Sequence, residues 1–124
     1  MHKIRPFSKT LSGTKRFTRL VGDSKKLSGL SSGLVVLKPK ELAGEHSTKD
    51  REEIIIILKG KARVRYGKKD RFILKEKSFA YLPSGTVHNV ENSGTGLLKY
   101  TYITARAAMG GAPAYPIRRG AVGI

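Results

Sequence analysis

The sequence predicts an all-β fold, an antiparallel sandwich or barrel, and three observations carry that prediction. Short runs rich in β-branched and aromatic residues recur along the middle of the chain. Turn signals at Lys59-Gly60, Gly67-Lys68-Lys69-Asp70, Pro83-Ser84-Gly85 and Asn92–Gly96 separate them. No stretch carries the apolar repeat of an amphipathic helix. At 124 residues the chain makes one domain with one core.

The elements follow in order. Residues 1–32 are polar, basic and rich in Ser and Gly, and read as an extended N-terminal arm. Within it Phe17 and Leu20-Val21 are apolar enough for an edge strand, and His2 is a solvated terminal histidine. The barrel is assigned to residues 33–106. Gly33 to Pro39 is its first strand, with Pro39 at the end where a missing N–H does no harm. Glu41 to Arg51 is a charged loop carrying His46. Glu53 to Leu58 contains the run Ile54-Ile55-Ile56-Ile57-Leu58, apolar on both faces, as in a strand covered on each side. Lys61 to Tyr66 alternates, with Ala62, Val64 and Tyr66 on one face and Lys61, Arg63 and Arg65 on the other. Arg71 to Leu74, Phe79 to Leu82, Val87 to Val90 and Leu97 to Ala105 complete the strands. The tail, residues 107–124, is rich in Gly, Ala and Pro and reads as a second extended arm; residues 1 to about 12 and 108–124 are expected to be mobile in isolation.

Composition bounds the function. No apolar run approaches the roughly eighteen residues of a membrane span. The basic N-terminus lacks an apolar core segment, so no secretory signal is expected and the cytoplasm is the default compartment. Cysteine is absent, which removes disulfides and thiol catalysis. Lys and Arg number 25 against 9 Asp and Glu, a formal charge of +16. An ion-pair surface would need carboxylates in comparable number, so the excess points outward, to an anionic partner.

Two segments carry the candidate chemistry: HSTKDREEIIIILKG, His46 to Gly60, and PSGTVHNVEN, Pro83 to Asn92. They hold two of the three histidines of the chain. His46, Glu53 and His88 are the imidazole and carboxylate donors that a divalent metal takes, if the segments face each other.

The two segments resemble the paired motifs of the cupin superfamily. His46, Glu53 and Gly60 fall at the places of the first motif, with six residues between Glu53 and Gly60. Pro83, Gly85, His88 and Asn92 match the second at every spacing. Three positions depart: Lys40 and Lys77 replace the leading glycines, and Thr48 replaces the second histidine of the His-x-His pair. The resemblance implies a jelly-roll barrel with one metal ion, iron, manganese, nickel or zinc, held by His46, Glu53 and His88. It implies a pocket for a small polar molecule, sugar- or carboxylate-like, with Thr48, Tyr81, Asn92, Tyr100 and Tyr102 around it. The tyrosines there would supply an acid, orient a sugar, or pack with the hydroxyl at the rim. Family members include isomerases, epimerases, oxygenases and proteins that only bind a ligand, and fold does not choose among them.

Two partners are expected besides the ligand. The doubly apolar run Ile54 to Leu58 predicts a homodimer. Lys61, Arg63, Arg65, Lys68, Lys69 and Arg71 form a basic ridge with Asp70 as its one nearby acid, which suits RNA, the ribosome or another polyanion. That reading gives the alternative function, an RNA- or ribosome-associated module without catalysis.

Overall fold

The computed structural model describes residues 5–22 and 29–107. Nine strands build two antiparallel sheets, and no helix occurs among the described residues. The strands are β1 Phe17–Val21, β2 Leu30–Leu37, β3 His46–Ser47, β4 Arg51–Lys59, β5 Ala62–Tyr66, β6 Asp70–Leu74, β7 Phe79–Leu82, β8 Val87–Asn92 and β9 Leu98–Arg106. The larger sheet has the order β1-β2-β9-β4-β7, and the smaller β3-β8-β5-β6. Consecutive strands therefore often lie in different sheets, as a jelly roll requires.

Strand alternation fills the space between the sheets. Val35, Leu37, Ile55, Ile57, Leu82, Leu98 and Tyr100 point inward from the larger sheet. Ala62, Val64, Leu74 and Val90 meet them from the smaller one. Each fully buried aliphatic side chain among them contributes about 1.5–3 kcal/mol of transfer free energy, so this layer is the main source of stability. Arg63 and Arg65 take the opposite face of β5, as their period-two spacing predicts.

The strands are longer than the sequence suggests at three places. β2 begins at Leu30, because Leu30, Ser31 and Ser32 pair with Ala105, Thr104 and Ile103 of β9. β4 begins at Arg51, which pairs with Arg106. His46 stands not in a loop but on β3, directly opposite His88 of β8. In each case the partner strand supplies hydrogen bonds that local sequence does not reveal. β1 forms at the sheet edge from Phe17 to Val21. Of the two arms, residues 5–16 are described and make no strand, while the tail from residue 108 onward lies outside the described residues.

The departures at Lys40 and Lys77 have a backbone reading. Both residues adopt positive φ, 71° and 66°, the left-handed region that glycine enters freely and a residue with Cβ enters at a cost. The two lysines thus hold the backbone conformation that glycine at these motif positions would favour. Gly60, at φ 88°, is held differently: a Cβ there would stand 2.5 Å from the Leu97 carbonyl oxygen. Gly33 lies mid-strand because a Cβ would meet the Phe17 ring at 2.6 Å and the Tyr102 ring at 2.9 Å.

Candidate metal centre

The site forms where β3, β4 and β8 present side chains to the interior. His46 and His88 are cross-strand partners, so their side chains leave on the same face, with ring centroids 4.3 Å apart. Glu53 is the inward residue at the start of β4, buried between Leu82 of β7 and Thr104 of β9 in the register. One donor atom from each of His46, Glu53 and His88 lies within 4.8 Å of the others.

Hydrogen bonds fix which histidine nitrogens face the site. His88 Nδ1 lies 3.1 Å from the Thr86 carbonyl oxygen, and His46 Nδ1 lies 3.1 Å from that of Gly44. A carbonyl only accepts, so each Nδ1 carries the proton and Nε2 becomes the inward-facing atom. This orientation by an outer hydrogen bond is the usual one for metal-bound imidazole. His88 Nε2 is buried and has no hydrogen-bond partner; it stands 3.5 Å from Glu53 Oε1. Two donors at 2.0–2.2 Å from a common ion stand roughly 3–3.5 Å apart, so the residues present fit a divalent cation. Burial pushes the His88 pKa down, but the Glu53 carboxylate beside Nε2 and the Thr86 carbonyl on Nδ1 outweigh it, and the net shift is upward.

A staple brings the two motif segments together. Thr48 Oγ1 donates to the Pro83 carbonyl at 2.8 Å and accepts the Thr86 N–H at 2.9 Å. Backbone bonds from Thr48 N–H to Thr86 O and from Gly85 N–H to Lys49 O reinforce it. Thr48 lines the pocket, but its hydroxyl is committed to this junction and not to a ligand-donating role.

A cleft of about 450 Å³ opens beside the three donors. Tyr100 and Tyr102 line it from β9. Tyr100 is nearly fully buried, and burial first, with the nearby Glu53 charge, raises its pKa; burial likewise raises that of Tyr102. Two residues assigned to the pocket from sequence do not line it. Tyr81 stands on the outer face of the larger sheet, 47% exposed, and donates to Glu52 Oε1 at 2.6 Å. Its parity along β7 is that of Phe79, opposite to Ala80 and Leu82. Asn92 is buried but serves a turn, donating to the Leu37 and Gly96 carbonyls and accepting from the Gly94 N–H.

Sequence reading misses two cations of the cleft, Arg16 and Arg51. Arg51 shares the parity of Glu53 and Ile55 on β4, a signal hidden by taking it as loop. Its Nε donates to Thr104 Oγ1 at 2.8 Å and Nη2 to the Gly29 carbonyl at 3.0 Å. Arg16 reaches the cleft because its carbonyl accepts the Val36 N–H where the chain enters β1, a pairing with no local signature. Its guanidinium donates to the Leu42 carbonyl at 2.8 Å and pairs with Glu41 at 3.4 Å.

Residues 33–104, more than half of the chain, match the family described as "Cupin domain". The chain belongs to the cupin family. Solved structures agree with that fold. A cupin 2 conserved barrel domain protein from Salinispora arenicola is 25% identical, with TM-score 0.64, over 88% of this chain and 92% of that one. A Bacillus halodurans protein superposes with TM-score 0.71 at 20% identity, over 90% of this chain and 85% of that one. A Thermotoga maritima protein described as a predicted oxalate decarboxylase gives TM-score 0.66 at 21% identity, over 73% and 79%. The match to the cupin domain of Schizosaccharomyces pombe Cnp3, at 20% identity and TM-score 0.64, covers 73% of this cupin and 60% of that chain. No curated protein matches this cupin at a significant level.

Proposed function

We propose that this cupin holds one divalent metal ion at His46, Glu53 and His88 and uses the adjoining cleft for a small carboxylate- or sugar-like molecule. The observation that carries the reading is the pair of imidazoles with Nδ1 tied to backbone carbonyls, leaving a buried His88 Nε2 unpartnered and facing Glu53. An unpartnered buried polar atom is costly and calls for an explanation, and a cation supplies one. Two histidines and a carboxylate leave open coordination positions, where a bound metal polarises a ligand oxygen as a Lewis acid. Arg16 and Arg51 give the cleft a positive lining that favours an anionic ligand, and Tyr102 offers a hydroxyl at its half-buried wall. One similarly folded protein, the Thermotoga maritima one, is described as a predicted oxalate decarboxylase, which agrees with a small carboxylate but does not choose a reaction.

Elemental analysis of the untagged protein tests this. Wild type should carry close to one metal ion per chain, and His88→Ala should carry almost none while still folding. Equal metal content in both proteins would show that the three residues are not the ligands.

The same protein is proposed to pair with a second copy through the outer face of the larger sheet. Tyr81, Ile54 and Ile103 form one cross-strand row there, and Ile56 and Phe79 another. Ile54, Leu58, Phe79, Tyr81 and Ile103 are all exposed, Phe79 at 65%. Such an apolar patch supports an interaction surface.

A further inference from the structure

We propose that the outer face of the smaller sheet binds the phosphate backbone of a single-stranded nucleic acid, independently of the metal centre. The face is built by alternation. β5 turns Ala62, Val64 and Tyr66 toward β6 and β8 partners on the inner side, so Arg63 and Arg65 must stand outside. A cleft of about 530 Å³ lies over them, continued by Lys68, Lys69 and Arg71 at the β5–β6 hairpin. Lys61 precedes β5, beside the Gly94 turn, and does not line the cleft.

Charge on this face is not balanced internally. Five cations, Arg63, Arg65, Lys68, Lys69 and Arg71, face the carboxylates of Glu45, Asp70 and Glu91. Glu91 serves two arginines with a single oxygen, Oε1, at 3.1 Å from Arg63 and 3.2 Å from Arg65. Arg63 Nε is buried without a partner. Arg65 and Arg71 are direct cross-strand partners, a like-charge pairing that destabilises a sheet when nothing lies between. An anion across the face would offset the shared use of Glu91 and the Arg65–Arg71 repulsion.

The spacing favours a strand of nucleic acid over a lipid surface. Side chains two apart on a β-strand repeat at roughly 6.6 Å, comparable to the separation of consecutive phosphates along an extended nucleic-acid strand. The large apolar side chains of this face are aliphatic, Ile73 and Val87, and Ile73 lies opposite Arg63. With no ring among the cations lining the cleft, base stacking has no platform there, and the contacts would be to phosphate and indifferent to sequence.

The experiment is a salt titration of binding to a labelled oligouridylate, read by fluorescence anisotropy. Wild type should bind with affinity that falls steeply as salt rises. The test variant is K68E/R71E, since a carboxylate at 71 lies opposite Arg65 and should not harm the hairpin. Removing two phosphate contacts should reduce the log–log slope by about 1.4, at about 0.7 per contact on a single strand. The control is K59E/K99E, the same change of net charge at a cross-strand pair in the larger sheet, which should leave the slope near the wild-type value. Equal losses in the two variants would overturn the proposal, since net charge alone would then explain binding. Absence of binding by wild type at low salt would overturn it too, as would capture by phosphatidylserine vesicles without binding to the oligonucleotide. If K68E/R71E fails to give a cooperative melt, K68Q/K69Q in the turn serves instead, with the same expected slope change.

Discussion

Asn92→Ala should unfold this cupin more readily without touching its metal content, because the side chain is a clamp and not a ligand. Asn92 is 1% exposed. Its Nδ2 donates to the Leu37 carbonyl at 2.9 Å and to the Gly96 carbonyl at 2.8 Å, and its Oδ1 accepts the Gly94 N–H at 2.9 Å. The bond to Leu37 is fully buried and ties the end of β2 to the β8–β9 turn. Truncation strands that carbonyl, at about 1–3 kcal/mol, and frees two partly solvated groups at about 0.5–1 kcal/mol each, for a total near 3 kcal/mol. Urea denaturation followed by circular dichroism reads the loss directly. With a slope of about 1.5 kcal/mol/M, the midpoint falls by about 2 M at unchanged slope. A loss below about 1 kcal/mol would refute the clamp. Loss of metal from a variant that is otherwise native would return Asn92 to the site.

Lys40→Gly and Lys77→Gly should each stabilise the protein, because positive φ costs a residue with Cβ about 1–2 kcal/mol and glycine's greater unfolded freedom returns about half of it; denaturation midpoints that fall in both would contradict the strain. For metal-free protein, the raised His88 pKa sets a pH dependence. A raised folded value means the stabilisation is present in full below the unfolded value near 6.5 and is lost as pH climbs through the higher folded one. The stability difference between wild type and His88→Gln, both metal-free, should therefore shrink on going from mildly acid to mildly alkaline conditions; a constant difference would exclude proton sharing with Glu53. Phe79→Glu, which places a charge in the middle of the exposed apolar patch, should convert dimers to monomers in sedimentation velocity. Wild type sedimenting as a monomer at micromolar concentration would remove that interface.

The strands and the donor cluster were legible because each depends on a regular repeat. Period-two alternation places Ala62, Val64 and Tyr66 against Arg63 and Arg65, and the structure keeps that division. Spacing in the two motif segments points to His46, Glu53 and His88; pairing of β3 with β8 sets the two histidines side by side, and β4 presents Glu53 to them from the facing sheet. What sequence left hidden depends on strand ends and on distant pairing. The resemblance implies Tyr81 as a pocket residue, yet one step of parity on β7 sends it outside. Arg51 reads as loop in the sequence because nothing local shows its pairing with Arg106. Arg16 has no local signature either, because it is placed by the docking of the segment entering β1 beside Val36 at the sheet edge.

The division of β4 and β5 into two faces has a consequence for how this protein can work. Glu53 and Arg51 look inward on β4, while Glu52 looks outward to Tyr81. Arg63 and Arg65 look outward on β5, while Val64 closes the core beneath the cleft. A single residue of strand thus separates the interior, donor cluster or core, from a solvent-facing polar or charged surface in both sheets. Because side chains on opposite faces share only backbone, a charge change at Lys68 or Arg71 has no side-chain route to His88. Perturbations there should add independently to perturbations of the donor cluster. The cluster, in contrast, is coupled to fold stability through Thr48. Its hydroxyl joins Pro83 and Thr86, and Thr86 in turn holds His88 Nδ1. The histidine is therefore oriented by the same contacts that close the barrel, which makes the donor cluster a part of the scaffold rather than an addition to it.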